Sequence, residues 1–281
     1  METEYEGIGY TDAINVKDIE EGLRNAGLSV RVYYKEETGS TNEDARRLSE
    51  TSDTPVLVIA NMQKKGRGRR GRDFFSPAGS GLYMSLAIPD ASGLIKTVKV
   101  TAAAAVAVAR AVDETVFCGQ ERALIKWVND IYIDEKKVCG ILTEAFLSPD
   151  DKEAAYMVIG IGINVYEPGD GFPQDIREKA GYLISAGESV KKGLRNRLAT
   201  EVIKQLFRYL YAPGDCLAVY RKKSNLIGCG ITINSFVPDD IRPARAKVTG
   251  IDDECGLMVE YEDGQKETLT SGEVSVVKTI I

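Results

Sequence analysis

Hydrophobic positions fall into two regimes along this chain. Up to about residue 228, apolar runs of strand length are interleaved with stretches of helical period, and beyond Cys229 short strands recur every 8 to 12 residues. Ile19, Leu23 and Ala26 share one face of a predicted helix, which Asn15 can cap with Asp18 at the third position and Gly27 ends. Val30 to Tyr34 reads as a strand. The segment GSTNEDARRLSE opens as a turn and continues as a helix, with Thr41 or Asn42 placed to cap it. Pro55 to Met62 (PVLVIANM) is a continuous apolar run of strand length, which predicts burial on both faces. LYMSLAIP alternates as another strand.

Residues 96 to 116 give the clearest helix, with Val98, Ala102, Ala105, Ala109 and Val112 along one side and an alanine-rich surface suited to close packing on a sheet. ALIKWV, IYI and VCGILTEAFL then read as successive strands, the last two joined by a tight turn at Asp134-Glu135-Lys136. YMVIGIGINV is a further buried strand, with glycines at 160 and 162 where a ligand or neighbouring backbone can come close. Residues 165 to 190 are irregular, and Leu194, Leu198, Val202, Leu206 and Leu210 mark a strong helix. The tail supplies ITINSF, ARAKVTGI, GLMVEYE, KETLT and VSVV, with a turn at Asp263-Gly264. The fold class this predicts is α/β (α+β): a mixed central sheet flanked by helices over residues 1–228, then a small β-barrel or sandwich over 229–281.

Composition narrows the chemistry. The 281 residues are 43% hydrophobic, enough for a sizeable core. There is no histidine, which excludes Ser-His-Asp hydrolases, histidine metalloproteases and any histidine-based acid–base catalysis. Five widely spaced cysteines without a C-x-x-C pattern argue against a disulfide scaffold or zinc site and for free thiols in a reducing compartment. The N-terminal residues lack a signal-peptide pattern, and no apolar run reaches the roughly 18 residues of a membrane span. The expectation is a cytoplasmic protein with no membrane partner.

Against a net charge of −6 stands one dense basic island, KKGRGRRGR, at Lys64 to Arg72. It has nothing apolar to bury, and two guanidiniums about 6 Å apart oppose each other by about 3 kcal/mol at an effective dielectric near 20. Glycines at 66, 68 and 71 add backbone freedom, including positive φ. The expectation is a loop that stays mobile until an anion neutralises it, and arginine can grip carboxylate or phosphate with two hydrogen bonds. A solvated basic loop or a nucleic-acid patch is the alternative. The acidic net charge and the lack of interleaved aromatics argue against nucleic acid.

Four elements together carry a more specific signal: Ser40-Thr41-Asn42, Gln63 through GRGRRGR, KWVNDIYIDEKKVCGIL (126–142) and GIGIN (160–164). Their order and spacing over residues 38 to 165, with a β-rich tail ending in SGEVSVV, resemble the biotin protein ligases, or biotin–[acetyl-CoA-carboxylase] ligases. The resemblance implies a class II synthetase-like catalytic domain and an SH3-like C-terminal domain. It also implies a two-step reaction, in which biotin and MgATP form biotinyl-5′-AMP and the acyl group then passes to a lysine of a biotin carboxyl carrier protein. Such chemistry suits a histidine-free chain, because a carboxylate is already nucleophilic and the need is charge neutralisation.

By that resemblance, Ser40, Thr41, Asn42, Gln63, Gly66, Arg67, Gly68, Arg69, Trp127, Lys137 and Gly140 contact biotin. Arg69, Arg70, Arg72, Asn129, Lys137 and Asn164 contact ATP, with Asn164 at the adenine. Arg67, Arg69, Lys137 and Asp130 carry the catalysis, and Asp130 is the candidate for a Mg2+ contact or for deprotonating the acceptor lysine; no Mg2+ site is fixed by protein alone. Lys126 and Trp127 open the KW-x-ND element, and the resemblance places Trp127 near the biotin and adenine pockets. Read without the resemblance, Ser40 to Asn42 are a helix cap, Asn129-Asp130 start a turn and Lys137 is a solvated hairpin residue. Two departures stand out: Val128 where the family often has proline, and Phe74 where it often has tryptophan. With 39 residues before Ser40, the expectation is a monofunctional ligase without the family's repressor-type DNA-binding domain and without specific DNA binding. Family members include monomers and homodimers, and a homodimer remains one alternative. A lipoate ligase shares the general fold but carries R-R-x-S-G-G-x-x-V-x-H near the loop, which this chain lacks.

Overall fold

The computed structural model describes residues 12–89, 97–147, 154–185, 188, 192–234, 244–270 and 273–276. A seven-stranded sheet forms the larger part. Its strands are β1 (Arg31–Thr38), β2 (Val56–Gln63), β3 (Gly81–Pro89), β4 (Leu124–Lys126), β5 (Asp130–Ile133), β6 (Lys136–Leu147) and β7 (Ala154–Asn164), in the spatial order β1-β2-β3-β7-β6-β5-β4. Only β1 and β2 run parallel; every other pair is antiparallel. The helices are α1 (Val16–Asn25), α2 (Thr41–Ser49), α3 (Thr97–Thr115), α4 (Leu194–Tyr211) and α5 (Cys216–Lys223). The short α5 is absent from the sequence reading, because CLAVYRKK is too brief and too weakly patterned to display a face.

Period-two alternation in β2 explains the layering. Leu57 and Ile59 enter the large core with α1, α3, α4 and α5, while Val56 and Val58 meet Ala45 of α2 on the opposite face. The expectation of a strand buried on both sides therefore holds. α3 goes further than expected: Ala102 through Ala109, with Ala111 and Val112, are all at most 5% exposed, so the helix is enclosed all round and not on one side only. Small side chains permit that, since α4 and the sheet can approach closely from different directions. Asn15 caps α1 as read, accepting a hydrogen bond from Lys17 N, and Gly27 follows at φ +75°. Asp134 and Glu135 take positive φ in the β5–β6 turn, so Lys136 already belongs to the strand.

The tail is a five-stranded antiparallel sheet of β8 (Gly230–Asn234), β9 (Ala244–Ile251), β10 (Leu257–Tyr261), β11 (Lys266–Leu269) and β12 (Glu273–Val276), ordered β11-β10-β9-β8-β12. Phe236 and Val277, at the ends of two expected strands, lie outside the described residues, as do residues 1–11. Ile231, Val248, Leu257 and Val259 join the same core cluster as the helices of the larger part. Polar ties reinforce that contact: Arg221 donates to Ile251 O at 2.8 Å and pairs with Asp253, and Lys99 pairs with Glu254.

The tie that reaches furthest inward is Trp127, whose indole Nε1 donates to the Cys255 carbonyl at 2.9 Å. Trp127→Phe is expected to lower the melting temperature by a few degrees, because the buried carbonyl loses a partner worth roughly 1–3 kcal/mol. Thermal unfolding reads this directly, and an unchanged melting temperature would show that the bond contributes nothing.

Candidate active site

The alternation that builds the core also builds a cavity. Along β7, Ile159, Ile161 and Ile163 point into the large core, which leaves Gly160, Gly162 and Asn164 on the opposite face. In β6 the residues Gly140, Leu142 and Glu144 share that face, with Gly140 paired to Gly162 and Leu142 to Gly160. The glycines are there for room. A Cβ on Gly162 would sit 2.5 Å from the Phe74 ring, and one on Gly160 would sit 2.0 Å from Asn42 Oδ1. The cavity above them has a volume of about 430 Å³. Ser40, Thr41, Asn42, Gln63, Arg67, Gly68, Arg69, Arg70, Arg72, Trp127, Asn129, Asp130, Lys137, Gly140 and Asn164 all line it.

Gly66 is the exception. It is buried under the loop, where an added Cβ would come within 2.5 Å of Phe74 O and 2.7 Å of Ser76 Oγ. Its smallness serves the base of the loop, and it does not line the cavity. The positive φ expected among the loop glycines is realised at one of them. Gly71 alone of the three glycines has it, at +70°, and the neighbouring left-handed position is taken by Arg70 at φ +60°. The loop is folded as a hairpin: Arg67 bridges to Asp73, Gly68 N donates to Arg72 O at 2.7 Å, and Phe74 N donates to Gly66 O at 2.8 Å. A short 3-10 turn at Arg69–Gly71 forms its tip.

One end of the cavity is polar and nearly uncharged. Ser40 occupies the cap position of α2 but makes no side-chain capping bond, and neither Thr41 nor Asn42 caps the helix as the sequence suggested. Their side chains turn to the sheet instead. Thr41 N and Oγ1 both donate to Gln63 Oε1, at 2.9 and 3.0 Å, and Gln63 Nε2 donates to Ser76 Oγ at 3.0 Å. Ser85 Oγ lies 2.7 Å from Thr41 Oγ1 and 2.6 Å from Asn42 Oδ1, with its single proton available to either. Ser85, Ser76 and Glu144 were missed in the sequence. A polar residue in the middle of the buried strand LYMSLAIP is the signal that would have found Ser85.

The other end is strongly cationic. Arg69, Arg70, Arg72, Lys126, Lys137 and Lys179 line the cavity against Asp73, Asp130 and Asp175, while Arg67 shares the Glu144 carboxylate with Asn42 of the first end. Arg69 NH1 donates to Asn129 Oδ1 at 3.0 Å, and Asn129 is itself held by Ile141 through both main chain and side chain. Lys137 Nζ lies 2.7 Å from Asp130 Oδ1. Burial and the Asp130 charge push the Tyr132 phenol up to about 12, so it stays neutral at the cavity wall. Asn164 Nδ2 donates to Gly181 O at 2.9 Å, which ties the irregular segment after β7 across the site. That segment adds Phe172, Asp175, Ile176, Lys179 and Ala180 to the lining. Phe74 covers Gly162 and meets Tyr83 edge-on, with ring centroids 6.4 Å apart, so it forms an aromatic wall of the cavity.

Comparison with known proteins gives a consistent match. Residues 33–164 match the biotin/lipoate A/B protein ligase family, and residues 237–277 match the biotin protein ligase C-terminal domain. The bifunctional ligase/repressor BirA of Bacillus spizizenii is 30% identical over 256 residues, covering 90% of this chain and 77% of that one. The biotin–[acetyl-CoA-carboxylase] ligase of Mycobacterium tuberculosis is 27% identical over 248 residues, 86% of this chain and 84% of that one. Among solved structures, a biotin protein ligase from Aquifex aeolicus in complex with biotin and ATP superposes with a TM-score of 0.68 at 24% identity, covering 89% of this chain and 99% of the other.

Proposed function

We infer the reaction from one premise: this chain belongs to the biotin protein ligase family. It is an ATP-dependent biotin–protein ligase. The observation that supports this most is the meeting of a neutral hydrogen-bonding end and a cationic end in one cavity. Biotin has that same polarity, with an uncharged ureido head and a carboxylate tail.

In the first step the biotin carboxylate attacks the α-phosphorus of ATP, forming biotinyl-5′-AMP and releasing pyrophosphate. No proton needs to be removed, so no histidine is required. Two anions must approach, and in this reading Arg67, Arg69 and Lys137, which line the cavity, neutralise them as they do. Arg70, Arg72 and Asn129 extend the same field along the phosphates, and Asn164 is the residue we assign to the adenine. At the other end Thr41, Asn42 and Gln63 address the ureido group, where an amide suits an uncharged partner. In the second step a neutral carrier lysine attacks the acyl carbon and AMP leaves. Asp130, 2.7 Å from Lys137, is our candidate to take the proton the amine loses.

Magnesium fits this site as an ion carried in with ATP. No cluster of three or more potential ligands converges among the described residues, whereas Asp130 Oδ1 is buried with the Lys137 ammonium alone beside it. One carboxylate plus phosphate oxygens is an ordinary Mg2+ environment, and the ion would offset phosphate charge there. The carrier is a biotin carboxyl carrier protein, and the compartment is the cytoplasm, consistent with five free cysteines. Among the described residues no helix is long and apolar enough to cross a membrane.

Incubation with biotin, MgATP and a carrier domain, read by intact mass, tests the assignment. One biotinyl addition on the carrier is the expected result, and no addition with biotin but addition with lipoate would replace it with the lipoate reading. Without the carrier, biotin plus MgATP is expected to raise the melting temperature by several degrees, as ligand binding to the native state must. No rise at saturating ligand would count against the site.

A further inference from the structure

We propose that Glu144 is a positioning residue that joins the basic loop to the Ser40-Thr41-Asn42 element and so presets the biotin end of the cavity. This rests on the biotin ligase reading above. Glu144 does not line the cavity; it stands on β6 two residues beyond Leu142, on the same face and half-buried. Its Oε2 accepts from Asn42 Nδ2 at 2.8 Å and from Arg67 NH2 at 3.2 Å, and its Oε1 lies 3.5 Å from the same Arg67 nitrogen. One carboxylate therefore bridges two side chains that come from different elements, the first turn of α2 and the ascending arm of the loop.

Two consequences follow for the site. Asn42 becomes fixed at both ends, with Nδ2 on Glu144 and Oδ1 2.6 Å from Ser85 Oγ, so its amide orientation is set before any ligand arrives. Arg67 is tethered through NH2, which leaves Nε and NH1 of a planar fork for an anion. An ion pair at this exposure contributes little to global stability, since Arg67 and Glu144 side chains are 40% and 27% exposed. Its effect lies in pre-organisation: the ordering of Asn42 and Arg67 no longer has to accompany biotin binding.

The test compares Glu144→Ala and Glu144→Gln with the wild-type protein in biotin-dependent pyrophosphate release. Glu144→Ala is expected to raise the biotin KM about tenfold with kcat within about twofold, the pattern of lost ground-state binding. Glu144→Gln retains an acceptor for one partner and is expected to recover part of that loss. In a double-mutant cycle the loss from Glu144→Ala becomes smaller, without vanishing, when Arg67 is already alanine, because one of the two contacts of Glu144 is then already gone while that to Asn42 remains. A biotin KM within twofold of wild type in Glu144→Ala, or independent losses in the cycle, would overturn the proposal. Failure of the ligase reading itself shows differently, as wild-type protein that releases no pyrophosphate. Amide hydrogen exchange at Gly68 and Arg72 without substrate reads the tether in either case: faster exchange in Glu144→Ala supports it, and unchanged exchange overturns it.

Discussion

Replacing Lys137 with alanine is expected to cut biotin-dependent pyrophosphate release by about a hundred- to a thousandfold, the usual cost of removing one preorganised charge donor. Its backbone is held independently of its side chain: Lys137 N donates to Lys179 O, and Gly181 N donates to Lys137 O. Truncation should therefore leave the local fold in place. What it removes is the ammonium 2.7 Å from Asp130, and the loss acts twice. The incoming carboxylate and phosphate lose a positive partner, and Asp130 becomes an unneutralised negative charge facing them. Lys137→Arg is expected to restore little, because a planar fork does not reproduce a compact ammonium. Steady-state kinetics beside a melting curve separates the two effects. Activity within threefold of wild type at an unchanged melting temperature would show that the charge at this position is dispensable.

Gly160→Ala is expected to raise the biotin KM by roughly ten- to a hundredfold, the range of overpacking costs near 1–3 kcal/mol. The new Cβ would fall 2.0 Å from Asn42 Oδ1 and 2.8 Å from its Cγ. Asn42 cannot swing aside cheaply, since it is buried and engaged by both Glu144 and Ser85. The backbone of β7 is equally committed, paired to Ser85 on one side and Leu142 on the other. Gly169→Ala makes a matched control, because nothing stands within 4 Å of a Cβ there. Isothermal titration of biotin into both variants reads the difference. Equal biotin affinity in the two would mean that Asn42 has no part in holding the ligand.

Much of this architecture could be read from residue order because alternation leaves a visible record. PVLVIANM announced a strand enclosed on both faces, and GIGIN announced close approach, realised as Asn42 over Gly160 and Phe74 over Gly162. The basic island was equally visible in residue order, as six cations among nine residues, although that stretch by itself leaves a solvated loop or a nucleic-acid patch open beside an anion site. Its internal geometry was not. Gly66, Gly68 and Gly71 look equivalent in the sequence, yet one packs under the loop, one lies in extended backbone at φ −105°, and one adopts positive φ. The local context of Thr41 suggested capping, but a better partner, Gln63, came from 22 residues away. Glu144 was hidden for the same reason: inside TEAFL it looks like an outward-facing strand residue, and only the third dimension brings Asn42 and Arg67 to it. Long-range polar partners carry no periodic signature.

The central claim is that fixed cations, without a histidine proton relay, join biotin's carboxylate to a nucleotide. Its most direct test is the amount of pyrophosphate released when purified protein meets biotin, ATP and Mg2+ with no carrier present. The account predicts a rapid burst approaching one equivalent per chain that requires biotin and is abolished by omitting it. Pyrophosphate that appears equally without biotin, or none at all from folded protein, would contradict it.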